Sequence, residues 1–209
     1  MKYITSALLI GHLLSGCIKT TPNKLPILGR HEYIETETRT DTIYHAIKPF
    51  SLVDQDSTLV NNKTYANKIY VADFFFTSCP SICPIMKAQM IRVYKAFEDN
   101  QDVMLLSHTI DPEYDNVAVL NNYATRMEVK SAKWHFVTGE KGVIYDLAQT
   151  SYYVATRENE KAPGGYEHSG AFILVDNKSR IRGVYDGTKA EEVDELIANI
   201  KVLLPELYE

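Results

Sequence analysis

The run Ile69 to Phe76 is continuously apolar except for Asp73, and Cys79-Pro80-Ser81-Ile82-Cys83-Pro84 follows directly behind it. A run of that length and character reads as a strand buried on both faces. The prolines then limit what can succeed it. Each cysteine precedes a proline, and a residue before proline is disfavoured in the helical region. Pro84 suits the first helical position, where its missing N–H costs nothing. A buried strand giving way to a helix is therefore predicted, with Cys83 near the N-cap and Cys79 in the loop before it. Free backbone N–H groups and the positive helix end face both sulfurs there, which favours thiolate and lowers the thiol pKa.

Two thiols so placed can close a disulfide, hold a soft metal ion, or alternate between the two. On a regular helix, positions four apart have Cβ atoms about 5–6 Å apart, slightly beyond the usual disulfide span of about 3.5–4.5 Å. A loop ahead of the helix can tighten to close that gap or spread to hold one ion. Two thiolates select soft ions such as Cu(I) or Zn(II), and a third ligand is then expected elsewhere.

The rest of the chain alternates strand and helix patterns. Phe50 to Val53 and Ser57 to Val60 flank Asp54-Gln55-Asp56 as a hairpin. Met86, Met90, Val93, Tyr94 and Phe97 recur at helical spacing. Val103 to Thr109 is a second buried strand. Val117, Leu120, Ala124 and Met127 mark a helix with Asp115 as its expected N-cap. Trp134 to Val137 is a short strand, followed by a helix through Val143, Ile144, Leu147 and Ala148. Ala171 to Val175 and Arg180 to Tyr185 form a closing hairpin. A final helix carries Val193, Leu196, Ile197, Ile200 and Leu204. The alternation implies an α/β domain with a mostly parallel sheet covered by helices and antiparallel strands added at the end. That order fits a thioredoxin-like three-layer fold, a mixed central sheet with flanking helices and an N-terminal β-hairpin.

The chain has 209 residues, 45% hydrophobic and 23% charged, enough for one domain with a sizeable core. A net charge of −5 without a basic cluster argues against nucleic-acid binding, which needs a positive face, and against charge-driven membrane attraction. At the N-terminus, Met1-Lys2 precedes the apolar stretch Ala7 to Leu14, too short for a permanent span, so residues 1–16 read as a secretory signal. Leu14-Ser15-Gly16-Cys17 resembles a bacterial lipoprotein box, which implies cleavage before Cys17 and acylation there. Several acyl chains on one residue would hold the protein stably on a membrane of the cell envelope, its domain outside the cytoplasm. Cys79 and Cys83 would then be the only cysteine pair in the mature protein, in a compartment where disulfides persist. Residues 17–47, polar and Thr-rich, read as the lipidated cysteine and a tether, and 48–209 as the domain.

Histidines are the candidates for a third ligand. His12 leaves with the signal, and His31 and His45 lie in the expected tether. His108 and His135 sit inside strands, where satisfied core or edge histidines are the ordinary reading. His168 follows the polar stretch Arg157 to Glu167 and precedes Gly170 and a strand. In a thioredoxin-like sheet its loop lies at the same end as the cysteines. On its residues alone it is either a ligand or an exposed loop histidine. Asp73, a carboxylate in an apolar strand, marks either a proton-handling group or a strand edge.

Several segments together resemble the Sco/SenC family, thioredoxin-like proteins tied to copper delivery for cytochrome c oxidase. They are Phe75-Phe76-Thr77-Ser78-Cys79-Pro80-Ser81-Ile82-Cys83-Pro84, Ser107-His108-Thr109-Ile110-Asp111-Pro112-Glu113-Tyr114-Asp115, Trp134-His135-Phe136-Val137-Thr138-Gly139 and Tyr166-Glu167-His168-Ser169. The resemblance spans residues 48–204. It implies copper, Cu(I) or Cu(II), on Cys79, Cys83 and His168, and as partner the copper-bearing subunit of cytochrome c oxidase or another envelope cysteine protein. The chain departs from the family at Ser81, often Asp, at Ser78, often His, and at Asn116, commonly Thr. Two functions follow as expectations: a membrane-tethered metallochaperone, or a thiol-disulfide oxidoreductase in which Cys79 attacks and Cys83 resolves. A peroxidase fits poorly, because Thr77 stands only two residues before Cys79. A purely structural disulfide fits poorly too, because so small a loop stabilises little when closed.

Overall fold

A computed structural model describes residues 24–208. The signal segment and Cys17 lie outside the described residues. The central sheet has seven strands. They are β3 (Ser51–Asp54), β4 (Leu59–Asn61), β5 (Ile69–Phe75), β6 (Val103–Thr109), β7 (Trp134–Thr138), β10 (Ala171–Val175) and β11 (Ile181–Asp186), in the order β11-β10-β5-β6-β7-β3-β4. β5, β6 and β7 are parallel, and the flanking pairs are antiparallel. The three parallel strands are buried along their whole length, as their apolar runs require. This is the expected thioredoxin-like α/β architecture, with the β3–β4 hairpin ahead of it.

Alternation along β5 divides the core into two faces. Asp73 and Phe75 face Ser107, Trp134, Phe136 and the helices α1 (Cys83–Ala96) and α2 (Val117–Arg126). Tyr70 and Phe74 face the other way, toward His108 and Tyr152. Tyr152 caps the wider turn Leu147–Ser151 that continues α3 (Lys141–Asp146). α4 (Ala190–Leu203) packs on α1 and β11 through Val193, Leu196, Ile200 and Leu203.

Three local features differ from the sequence reading. Asp115 does not cap α2; Asn116 does, its side chain accepting from the Val119 N–H at 3.1 Å. Asp115 is instead turned inward. The stretch Arg157 to Glu167, read as a loop, contains a small antiparallel ribbon, β8 (Thr156–Glu158) with β9 (Tyr166–His168). The expected tether is folded from residue 24 onward. It forms a hairpin, β1 (Glu32–Glu35) with β2 (Thr40–Ile43), and it seats Leu25, Leu28 and Ile47 against the core. The reason is Arg182, only 3% exposed, whose guanidinium donates to the Leu25 and Pro26 carbonyls as well as to Asp176 and Glu206. A buried cation needs such acceptors, and the segment supplies two of them.

Candidate metal centre

β5 and β6 end at the same level, Phe75 opposite Thr109, and the site is built on the two loops that leave them. Asp115, fully buried, ties these loops together. Its carboxylate accepts from the Thr77 N–H at 3.0 Å, from the Thr77 hydroxyl, and from the Thr109 hydroxyl at 2.6 Å. Thr77 stands two residues before Cys79, so this clamp fixes where the cysteine loop departs from the sheet. The loop then turns back on itself, with the Cys79 N–H donating to the Phe76 carbonyl at 3.2 Å. The helix begins at Cys83 with Pro84 second, one residue earlier than the proline alone suggests.

His168 arrives from the other side, at the end of β9. The ribbon that carries it rests on Phe76 through the Tyr166 ring, and the Tyr166 hydroxyl donates to Asp111 at 2.8 Å. Gly164 at φ +81° lets the ribbon's turn approach: a Cβ there would sit 2.7 Å from the Phe76 ring. The His168 Nδ1 lies 3.1 Å from the Ser169 carbonyl, which can only accept, so Nδ1 carries the proton. Nε2 then presents its lone pair 3.3 Å from Cys83 Sγ. Fixing the tautomer through the far nitrogen is the usual way a protein orients a histidine ligand.

The two sulfurs and one imidazole nitrogen lie within 4.8 Å of one another. Both cysteines are free and nearly buried, and a cavity of about 370 Å³ lined by Phe76, Cys79, Pro163, Tyr166 and His168 opens beside them. The thiols are unequal. Cys79 is pulled down to about 3, chiefly by a hydrogen bond from Cys83 and against the opposing effect of burial. The Ser81 hydroxyl, 3.6 Å from Cys79 Sγ, is another polar neighbour. Cys83 is pushed up because it keeps the proton it shares with Cys79 and is buried. The pair is thus one thiolate and one thiol, with the thiolate on the loop cysteine. A buried thiolate, a neighbouring thiol and a bare imidazole nitrogen form a donor set that suits a soft or borderline cation.

Among the described residues, the other histidines fall outside the site. His108 stacks on Phe74 in the core, its pKa depressed to about 4 by burial. His135 bonds Asp54 at 2.9 Å. His45 binds the Ser151 carbonyl at 2.7 Å.

The structure adds Asp73, which the sequence reading left unassigned. It lies 5% exposed beneath the thiols, and a small cavity of about 10 Å³ is lined by Asp73, Cys83, Ser107 and Tyr123. Ser107 donates to its carboxylate while accepting from Trp134 Nε1 at 2.9 Å. Burial raises Asp73 to about 6 against the opposing hydrogen bond from Ser107. Strand alternation was the available signal, since Asp73 shares its face with Phe75 and hence with α1.

The SCO1/SenC family model matches residues 38–204. The chain belongs to the SCO1/SenC family. Among solved Sco structures, it resembles a SCO1/SenC family lipoprotein from Bacillus anthracis at 26% identity, with a TM-score of 0.70, covering 76% of this chain and 95% of that one. It resembles BsSco, a member of the Sco family of cytochrome c oxidase assembly proteins in which a disulfide switch was identified. There the identity is 27%, the TM-score 0.68, and the coverage 77% and 94%. It also resembles Bradyrhizobium japonicum ScoI, whose structure has copper bound, at 25% identity, a TM-score of 0.64 and coverage of 76% and 99%. Among the described residues, no helix of this Sco chain is long and apolar enough to cross a membrane.

Proposed function

We infer that this Sco protein is a copper carrier of the bacterial envelope, anchored through acylated Cys17, whose cargo is held by Cys79, Cys83 and His168. The observation that carries the reading is the convergence of those three ligand atoms within 4.8 Å, from segments 85 residues apart in sequence. The donor set fits the cargo. Thiolates prefer the soft Cu(I) ion, and the imidazole supplies a harder donor that Cu(II) favours. Cys79 is already a thiolate, so only Cys83 must release a proton on loading. The side cavity leaves room for an incoming cysteine of a partner, and transfer proceeds by exchange of one thiolate for another. The copper-bearing subunit of cytochrome c oxidase is the acceptor that the family resemblance favours. Titration of the reduced protein with Cu(I) against a competing chelator tests this. A tight one-to-one complex that Cys79→Ser and Cys83→Ser each abolish supports it, and the absence of such a complex refutes it.

Asp73 favours a second reading, thiol-disulfide exchange. The Cys79 thiolate attacks one sulfur of a partner disulfide; that S–S bond breaks, and the leaving partner thiolate takes a proton from solvent. Cys83 then gives its proton to the Asp73 carboxylate. Its thiolate attacks the Cys79 sulfur of the mixed disulfide, closing Cys79–Cys83 and displacing the partner's second sulfur as a thiolate, which takes a proton from solvent. Two electrons pass from this pair to the partner. Trapping with Cys83→Ser separates the readings, because only exchange accumulates a mixed disulfide on Cys79.

A further inference from the structure

The β8–β9 ribbon pairs with no other strand, and isolated two-stranded ribbons are marginal in water. Its feet are fixed to the body of the domain: the Val154 N–H donates to the Ala148 carbonyl and the Gly187 N–H to the Gly170 carbonyl, both at 2.7 Å. Between those feet the ribbon projects as an arm that carries His168. The imidazole's own tether is local, because Nδ1 bonds the carbonyl of Ser169, which moves with it. Thr156 lies opposite His168 in register, and its buried hydroxyl has no partner among the described residues, so it does not hold the ring either. Where Nε2 sits relative to the sulfurs therefore depends on what holds the arm against the body.

Alternation puts Thr156, Glu158, Tyr166 and His168 on the inner face, and Arg157 paired with Glu167 on the outer face. Contacts from the inner face to the body are of unequal strength. The Tyr166 ring lies 5.2 Å from the Phe76 ring, an apolar contact with little directional preference. Glu158 pairs with Lys141, but its side chain is 58% exposed, and exposed ion pairs contribute little. The Tyr166 hydroxyl donates to the Asp111 carboxylate at 2.8 Å, and Asp111 is only 9% exposed. A directional bond to a nearly buried carboxylate is the strongest of these. Tyr166 stands two residues before His168 on the same face, about 7 Å along the strand. Its anchor is itself fixed. The Asp111 N–H donates to the Thr109 hydroxyl at 3.0 Å, and the Asp111 carbonyl accepts from the Asp115 N–H at 2.8 Å. Asp115 is the residue that clamps Thr77 ahead of Cys79.

We propose that the Tyr166–Asp111 hydrogen bond is the positioning contact that sets His168 Nε2 against the two sulfurs. The loop after β6 then places both halves of the metal centre, the cysteines through Asp115 and the histidine through Asp111. This deepens the copper-carrier reading and rests on His168 as a ligand. Two thiolates suffice for Cu(I), whereas Cu(II) favours the imidazole as well, so the contact acts selectively on Cu(II).

The reduced, metal-free protein is compared with Tyr166→Phe, Asp111→Ala, Asp111→Asn, the Tyr166→Phe/Asp111→Ala double variant and His168→Ala. Affinities for Cu(II) and Cu(I) are measured against competing chelators, and amide hydrogen exchange of the metal-free proteins is followed by NMR. Tyr166→Phe keeps the ring on Phe76 and loses only the hydroxyl. It is expected to weaken Cu(II) binding about tenfold and Cu(I) binding less than about twofold. The Asn159 and Ser169 amides, which close the ribbon, should exchange roughly fivefold faster or more, with β5 and β6 unchanged. Asp111→Ala should do the same, and the double variant no more than either single one. Asp111→Asn, whose carbonyl oxygen still accepts, should stay within about twofold of wild type. Unchanged Cu(II) affinity in Tyr166→Phe, equal losses of Cu(I) and Cu(II), or losses that multiply in the double variant overturn the positioning role. If His168→Ala keeps its Cu(II) affinity, the ligand assignment itself fails and the positioning role with it. If His168→Ala loses Cu(II) while Tyr166→Phe does not, only the positioning role fails. Where Asp111→Ala does not fold, Tyr166→Phe and Asp111→Asn decide without it.

Discussion

Asp73→Asn should make this protein more stable at neutral pH, although it removes a charge that hydrogen-bonds its neighbour. The carboxyl is raised from 3.8 to about 6, with burial the leading cause. Below about pH 3.8 the acid is protonated in both folded and unfolded chains, and the substitution changes little. Between about 3.8 and 6 the unfolded chain loses its proton first, so wild-type stability falls as pH rises through this window. Above 6 the full cost is present. Two units correspond to about 3 kcal/mol. Asparagine is nearly isosteric, and its carbonyl oxygen can still accept from Ser107, so the hydrogen bond survives. Urea unfolding of the reduced, metal-free protein at pH 4, 5 and 8 measures the difference. The variant is expected to gain about 2–3 kcal/mol at pH 8, roughly half of that near pH 5, and almost nothing at pH 4. No gain at pH 8, or a gain independent of pH, would show that Asp73 is not a buried acid with a raised pKa. Its role as proton acceptor for Cys83 would fall with it.

Other outcomes follow from the same geometry. Because Cys79 is held near 3, thiolate absorbance should persist from pH 8 down to about pH 4, at one thiolate per reduced protein. Loss of that absorbance near pH 8–9 would contradict the shared-proton pair. Thr77→Val and Thr109→Val each remove one hydroxyl donor from the Asp115 carboxylate, at about 1.5–3 kcal/mol apiece. Only Thr77 lies on the cysteine loop. Thr77→Val should therefore speed Cu(I) release about tenfold, while Thr109→Val, with a similar loss of stability, changes it less than twofold. Thr77→Ser should restore the slow rate, and release rates that simply track stability would reduce the clamp to ordinary packing.

Much of this was legible in the sequence because it rests on local patterns. β5, β6 and β7 announce themselves as apolar runs, and the prolines place a helix start at the second cysteine. What escaped depends on distance or on polarity. Asp115 looks like a helix cap because a cap is a local device, and nothing nearby reveals Thr77, 38 residues away, as its partner. β8 and β9 are three residues long and mostly polar, so no period-2 signal survives in them. β1 and β2 hide for the same reason within a Thr-rich run. The fold of residues 24–47 was concealed because its partner, Arg182, looks like any surface arginine until its burial is seen. His168 was ambiguous by residue type alone. The family resemblance suggested its role, and the structure put its Nε2 beside Cys83.

The central claim is that one copper ion sits among two sulfurs and one imidazole nitrogen of a single chain. X-ray absorption of the Cu(II)-loaded protein, wild type beside His168→Ala, tests it most directly. The expected spectrum has two sulfur scatterers and one imidazole shell, with the imidazole shell lost in His168→Ala and both sulfurs retained. An imidazole shell that survives in His168→Ala, or a coordination sphere of three or four sulfurs shared between copies, would contradict it.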